Sequence, residues 1–189
     1  PQLPTVEGEL IKAFKRAGVM ENPDKSRYSI ASRTDRGVHA IGNVVSLKTD
    51  FEATINQINY YLPPSIQIIG KTKVPDGFKP RFAEYRHYKY VLFNYPYDEE
   101  VLDLKKMQSA SKILEGSHNF QNFTKRSERA PDRNVKELKI SQNKMITIID
   151  VVAESFLWNM VRKMVQVIKM AGIGEMEEEE ISLLLNPNI

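Results

Sequence analysis

Residues 31–40 read Ala-Ser-Arg-Thr-Asp-Arg-Gly-Val-His-Ala. Asp35 is the residue in this run best suited to chemistry. It is a carboxylate between two guanidiniums, Arg33 and Arg36, with Gly37 two positions on. Neighbouring guanidiniums favour the charged form of a carboxylate. A permanently charged Asp suits a nucleophile or an anion-site partner better than a general acid, which needs a raised pKa. The same residues also suit a surface loop closed by an ordinary Arg–Asp pair.

The flanks indicate how such a loop is held. Tyr28-Ser29-Ile30 alternates like a strand, and Val44-Val45-Ser46-Leu47 does so less cleanly. Asp35 is therefore expected on a loop between two strands. Thr5 suits an N-cap, and Val6, Leu10, Ala13, Phe14 and Ala17 then form a helical stripe that Gly18 stops. Phe51, Ile55, Ile58 and Leu62 predict a second helix ended by Pro63-Pro64. Residues 65–74 are rich in β-branched types and predict a strand. Residues 88–94 predict another, with Tyr88, Tyr90 and Leu92 on one face. Leu104, Met107, Ser111 and Leu114 predict a helix closed by Gly116. Residues 135–140 and 145–152 predict a hairpin around Gln142-Asn143. An apolar helix is expected over 158–171 and a short one over 181–185. This mixture is α+β, with strands too closely spaced for a regular βαβ series. The polar stretch 119–135 is expected to be a mobile contact loop.

With 189 residues the chain can bury a sizeable core in one large domain or two small ones. Hydrophobic content of 41% and charged content of 27% are those of a soluble globular protein. No apolar run approaches the roughly 20 residues of a membrane span. The absence of Cys excludes disulfides and thiolate metal sites. No glycine loop of the phosphate-cradling kind is present, and the histidines are scattered at 39, 87 and 118.

The net charge of +3 understates the basic surface. Setting aside the cluster of Glu175, Glu177, Glu178, Glu179 and Glu180 leaves +8. Residues 71–90 carry six Lys/Arg against two acids, with Phe78, Phe82, Tyr85 and Tyr88 interleaved. Residues 125–136 carry five basic residues, including Lys125 and Arg126, against Glu128 and Asp132. Basic runs with aromatics are the electrostatic footprint of a nucleic-acid binder, although a solvated lysine-rich face has the same composition.

The run ASRTDRGVHA resembles the catalytic loop of the TruA family of tRNA pseudouridine synthases. Further resemblances follow in order. They are Pro4–Leu10 to the first helix, Arg86-His87-Tyr88-Lys89-Tyr90 to the R-x-Y-x-Y strand, Gly116–Phe120 to the G-x-H-(D/N)-F turn, and Phe156–Val165 to a helix carrying Val-Arg-Lys. The family's usual opening strand segment and closing strand have no counterpart, so the sequence is expected to be a fragment.

The resemblance implies the pseudouridine synthase fold: two ferredoxin-like halves sharing a central, mostly antiparallel sheet flanked by helices. Residues 1–80 would form the half with the Asp loop, and residues 81–189 the half with the Tyr strand and the Arg helix. It implies Asp35 as the catalytic residue, and Arg33, Tyr88 and Arg162 as substrate-binding residues. Arg33 would hold the flipped-out nucleotide, Tyr88 would stack on the target base, and Arg162 would pair with the catalytic Asp. Arg162 lies among Met160, Val161, Met164 and Val165, which read as buried, and a buried arginine needs a partner. Arg36, at a variable family position, is expected to contact phosphate, as are Lys125 and Arg126. The implied substrate is tRNA, modified in the anticodon stem-loop by a cytoplasmic homodimer. No cofactor and no metal are implied, because the isomerisation is redox-neutral. One carboxylate suffices where glycosidases need two, since the departing uracil is its own acceptor. The competing expectation is a non-catalytic ferredoxin-like RNA-binding module, or a synthase relative that has lost activity.

Overall fold

The computed structural model describes residues 4–94, 101–125 and 130–188. The chain divides into two compact units, one ending at Ala83 and the other beginning at Glu84.

In the first unit, helix α1 (Val6–Arg16) begins where Thr5 Oγ1 accepts from the Gly8 N–H at 3.1 Å. It buries Leu10, Ala13 and Phe14. Glu7 and Glu9 near its start and Lys15 and Arg16 at its end complement the helix dipole. Two short strands, β1 (Ser29–Ile30) and β2 (Val45–Ser46), pair antiparallel, with Ser29 opposite Ser46 and Ile30 opposite Val45. Helix α2 (Ile55–Asn59) is shorter than the apolar spacing predicts. A capping box between Thr54 and Gln57 starts it one turn after Phe51, which is 51% exposed. Val19, Met20, Ala53 and Ile58 complete the buried cluster, with Tyr28, Val45, Leu62, Ile66 and Ile68 packed against it.

The strand expected over 65–74 does not form a ladder among the described residues. The segment is fixed by side chains instead. Asn59 accepts from the Ile68 N–H at 2.8 Å and donates to the Ile68 carbonyl at 2.9 Å, and Lys71 donates to the Ala53 carbonyl. β-branched composition favours an extended backbone, but only a neighbouring strand makes a sheet.

The second unit is built on a four-stranded antiparallel sheet. Strands β3 (Arg86–Phe93), β4 (Gly116–Asn119), β5 (Asp132–Gln142) and β6 (Ile146–Ala153) lie in the order β3-β6-β5-β4. The β5–β6 hairpin turns where Asn143 Oδ1 accepts from the Met145 and Ile146 N–H groups. A bulge between Val135 and Glu137 interrupts β5. Helices α3 (Leu104–Leu114), α4 (Met160–Ile173) and α5 (Glu178–Leu184) share one core with the sheet. Its fully buried members include Met107, Leu114, Ile149, Val151, Met160, Met164, Ile168 and Ile181. Asp103 caps α3, and α4 ends at Gly174, whose φ of +79° is the left-handed conformation glycine adopts without cost.

Strand β4 was not expected from its sequence, because Gly-Ser-His-Asn carries little β-propensity. Its pairing with residues 132–135 of β5 supplies the ladder. The loop expected over 119–135 is correspondingly shorter. A 3-10 turn occupies Gln121–Phe123, and β5 has begun by Asp132.

Candidate active site

The Asp35 loop is the connection of the β1–β2 hairpin. The ladder extends by one bond into the loop, from the Ala31 N–H to the Val44 carbonyl at 2.8 Å. Asn43 then closes the neck. Its Nδ2 donates to the Ser32 carbonyl at 2.8 Å, while its Oδ1 accepts from the Val44 N–H at 3.0 Å. At the tip the Val38 N–H donates to the Asp35 carbonyl at 3.1 Å. Gly37 sits in this turn at φ +81°, where a side chain would strain the backbone. Asp35, Arg33 and Arg36 are all exposed. Within this unit, neither arginine forms an ion pair with Asp35 among the described residues. The loop therefore holds its carboxylate by backbone geometry rather than by an Arg–Asp clamp.

Behind the hairpin stands Tyr28, whose ring lies 6.4 Å from that of Phe14. Its hydroxyl is buried and has no hydrogen-bond partner among the described residues. Burial, helped by the charge of Glu7, pushes its pKa up to about 12. It packs against the buried cluster of this unit.

In the second unit, β3 presents two faces. Tyr88, Tyr90 and Leu92 fall on the half-buried side, and His87, Lys89, Val91 and Phe93 are exposed. Tyr90 and Leu92 pack against the core, as their alternation predicts. Tyr88 meets Phe156 edge to face, with centroids 5.1 Å apart and planes at 87°. Phe156 lies in the segment leading into α4, so that segment sets the tilt of the Tyr88 ring.

Arg162 corrects an expectation. Met160, Met164 and Val165 are buried, but Arg162 itself is exposed on α4. At 100° per residue, a helix that turns 160 and 164 inward turns 162 outward. The cation of this stretch that turns partly inward is its neighbour Lys163, which is half-buried. Its ammonium donates to the carbonyls of Asn122 at 2.9 Å and Thr124 at 2.7 Å. Nothing in the sequence marks that role, because its partners are backbone atoms some forty residues away.

Lys125 is exposed, and its Nζ lies 5.8 Å from the Trp158 ring centroid. Arg126 lies outside the described residues. Part of the basic run 71–90 is already engaged within the protein. Lys73 pairs with Glu52 at 2.6 Å, holding the Glu52 carboxyl below its ordinary range, and Lys89 pairs with Asp150 at 2.6 Å. Lys79 and Arg81 both lie over Phe82. His118 donates to the Glu115 carbonyl at 2.6 Å, a loop-ordering contact, and His39 is exposed. Among the described residues no group of three or more His, Asp or Glu is placed to hold a metal, and no helix is long and apolar enough to cross a membrane.

A tRNA pseudouridine synthase family matches residues 110–188, the stretch from α3 through α5. A protein of Methanosphaera stadtmanae named tRNA pseudouridine synthase A is 44% identical over 187 residues, covering 99% of this chain and 68% of that protein. Its namesake in Methanothermobacter thermautotrophicus is 44% identical over 186 residues, covering 98% of this chain and 66% of the relative. That of Methanosarcina mazei is 40% identical over 193 residues, covering all of this chain and 70% of the relative. The chain belongs to the tRNA pseudouridine synthase family. It spans about two thirds of the length of these relatives. An enzyme of this family is an isomerase. Its antiparallel sheet flanked by helices fits the α+β pseudouridine synthase fold expected from the sequence.

Proposed function

We propose that this synthase isomerises uridine to pseudouridine in the anticodon stem-loop of tRNA, with Asp35 as its catalytic carboxylate. The observation that carries this reading is the exposed Asp35 at the tip of a hairpin whose neck and turn are both fixed. A carboxylate held without an ion-pair clamp from its flanking arginines keeps its oxygens for the substrate.

The reaction breaks the ribose C1′ to uracil N1 bond and forms a C1′ to C5 bond. N1 gains a proton and C5 loses one, so atoms and electrons balance with no external group. Asp35 either adds to the nucleoside or removes a ribose proton, and both roles need a charged carboxylate. A paired uridine must first leave its stack. Arg33 holds the extruded nucleotide, and Tyr88, braced by Phe156, stacks on its base. Base–ring stacking is worth about 1–3 kcal/mol, enough to offset much of the cost of extrusion. Arg162, exposed on α4, supplies positive charge for the same uridine. Arg36, Lys125 and Arg126 bind phosphates. The protein works in the cytoplasm as a homodimer, so that one tRNA touches both subunits.

The test is to map pseudouridine in unmodified tRNA incubated with the full-length protein and with Asp35→Asn. The expected result is product from the wild type and none from the variant, with tRNA affinity within about twofold. Turnover by Asp35→Asn within tenfold of wild type, about 1.4 kcal/mol in barrier, overturns the assignment. Binding without product from the wild type favours an RNA-binding module or inactive relative.

A further inference from the structure

Trp158 is the only tryptophan of the chain, and its side chain is 48% exposed. Its neighbours are not exposed: Leu157 is 5% and Met160 0% exposed. The turn between them explains the contrast. Asn159 takes φ +65° and ψ +8°, a left-handed conformation that Asn tolerates better than most residues, and α4 starts at the next residue. With the chain anchored in the core on both sides of this turn, the indole is left at the surface.

The backbone beneath the indole is rigidly held. The Trp158 carbonyl accepts from the Lys125 N–H at 3.3 Å and from Thr124 Oγ1 at 3.2 Å. Thr124 is 6% exposed. Lys163 donates to the carbonyls of Asn122 and Thr124, and Asn122 Nδ2 donates to those of Leu184 at 3.0 Å and Asn186 at 3.1 Å. The 122–125 segment is thus fastened to the start of α4 and the end of α5. It carries Lys125, whose ammonium sits 5.8 Å from the indole centroid. A large, half-exposed π surface with a cation over its ring, on a hydrogen-bonded backbone, is suited to a ligand with both an aromatic plane and a negative charge. An unpaired nucleotide has both.

We infer that Trp158 is a base-stacking platform for an unpaired nucleotide of the RNA substrate other than the target uridine. Lys125 contacts the adjoining phosphate, and Lys163 is the positioning residue that holds both in place. The inference rests on the proposed binding of tRNA and adds a contact site to it.

The test uses the indole itself. The full-length protein is titrated with tRNA while indole emission and filter retention are followed together, and the Trp158→Phe variant identifies the signal from this residue. The expected result is a quench that tracks retention and is absent in Trp158→Phe. Trp158→Ala should weaken tRNA affinity by about 5- to 150-fold, the equivalent of about 1–3 kcal/mol, with an unchanged salt slope. Trp158→Phe should recover most of that affinity. Lys125→Gln should lower the slope by about 0.7–0.9. Lys163→Met should reduce the quench while leaving indole and Lys125 intact. Retained tRNA with unchanged Trp158 emission, or Trp158→Ala binding as the wild type does, overturns the inference and leaves the tRNA reading standing. No retention by the wild type overturns both.

Discussion

Asp150 stands on the solvent side of β6, with Lys89 Nζ and His87 Nε2 each 2.6 Å from its Oδ1. Burial alone would raise its pKa, but the hydrogen bonds from Lys89 and His87 outweigh that and hold the carboxyl below its ordinary value. A carboxylate whose folded pKa is depressed stabilises the fold above its unfolded pKa. That contribution is lost as pH falls from about 4 through the lowered value. Asp150→Asn keeps the shape and removes the charge. It should lower the melting temperature at pH 7 by about 1–4 °C, as expected for a partly exposed ion pair. The deficit should shrink as pH falls below about 4 in a thermal melt series. A deficit that stays constant across the acid range would show that shape, not charge, matters at this site.

At this scale the sequence was informative where a motif is contiguous. The Asp35 loop, with its glycine, could be read directly from residues 31–40. The placement of Arg162 could not, because exposure depends on the phase of α4 against its core. Lys163 and Trp158 were also missed. Their roles depend on carbonyls at 122 and 124 and on one left-handed residue, none of which leaves a side-chain pattern.

Between elements, α3 and α4 approach closely at Gly172. A Cβ there would lie 2.6 Å from Met107 Cγ and 3.2 Å from its sulfur. Gly172→Ala gains about 1 kcal/mol of helix propensity. Against this, Met107 is fully buried, and overpacking costs about 1–3 kcal/mol. The clash should win, so the variant should be less stable by up to about 2 kcal/mol in denaturant titration. An increase in stability would show that Met107 repacks freely. Helix positions were legible because caps and stops such as Thr5, Gly18 and Gly116 are local signals. Strand β4 and the segment 65–74 were misread in opposite directions for one reason: a strand is defined by its neighbour, and neither pairing nor its absence is written within the segment.

For the whole molecule, the property that matters is how much basic surface is available to a polyanion. The engaged lysines refine the electrostatic expectation. Lys73 and Lys89 already have carboxylate partners, so fewer cations remain for phosphate than the composition implies. Each phosphate neutralised should contribute roughly 0.7–0.9 to the log–log slope of affinity against salt. Filter binding across salt concentrations should give a steep negative slope, and Lys125→Glu should weaken all tRNAs alike, since phosphate contacts position rather than specify. A flat dependence would remove the basic surface from the account of binding.

The bulge in β5 also determines which residues the chain can lose. Val135 faces Ala153 and Glu137 faces Val152, so Lys136 is the extra residue, outside the register. On one side of it Val135 points into the core, and on the other side Leu138 and Ile140 do. Deleting Lys136 would join these stretches in regular alternation, at the cost of its ammonium's place 3.8 Å over the Tyr85 ring. Deleting Lys139 instead would turn one stretch inside out. A deletion scan of β5 scored by soluble, cooperatively unfolding protein should therefore show tolerance at the bulge, at Lys136 or Glu137, and not elsewhere along the strand.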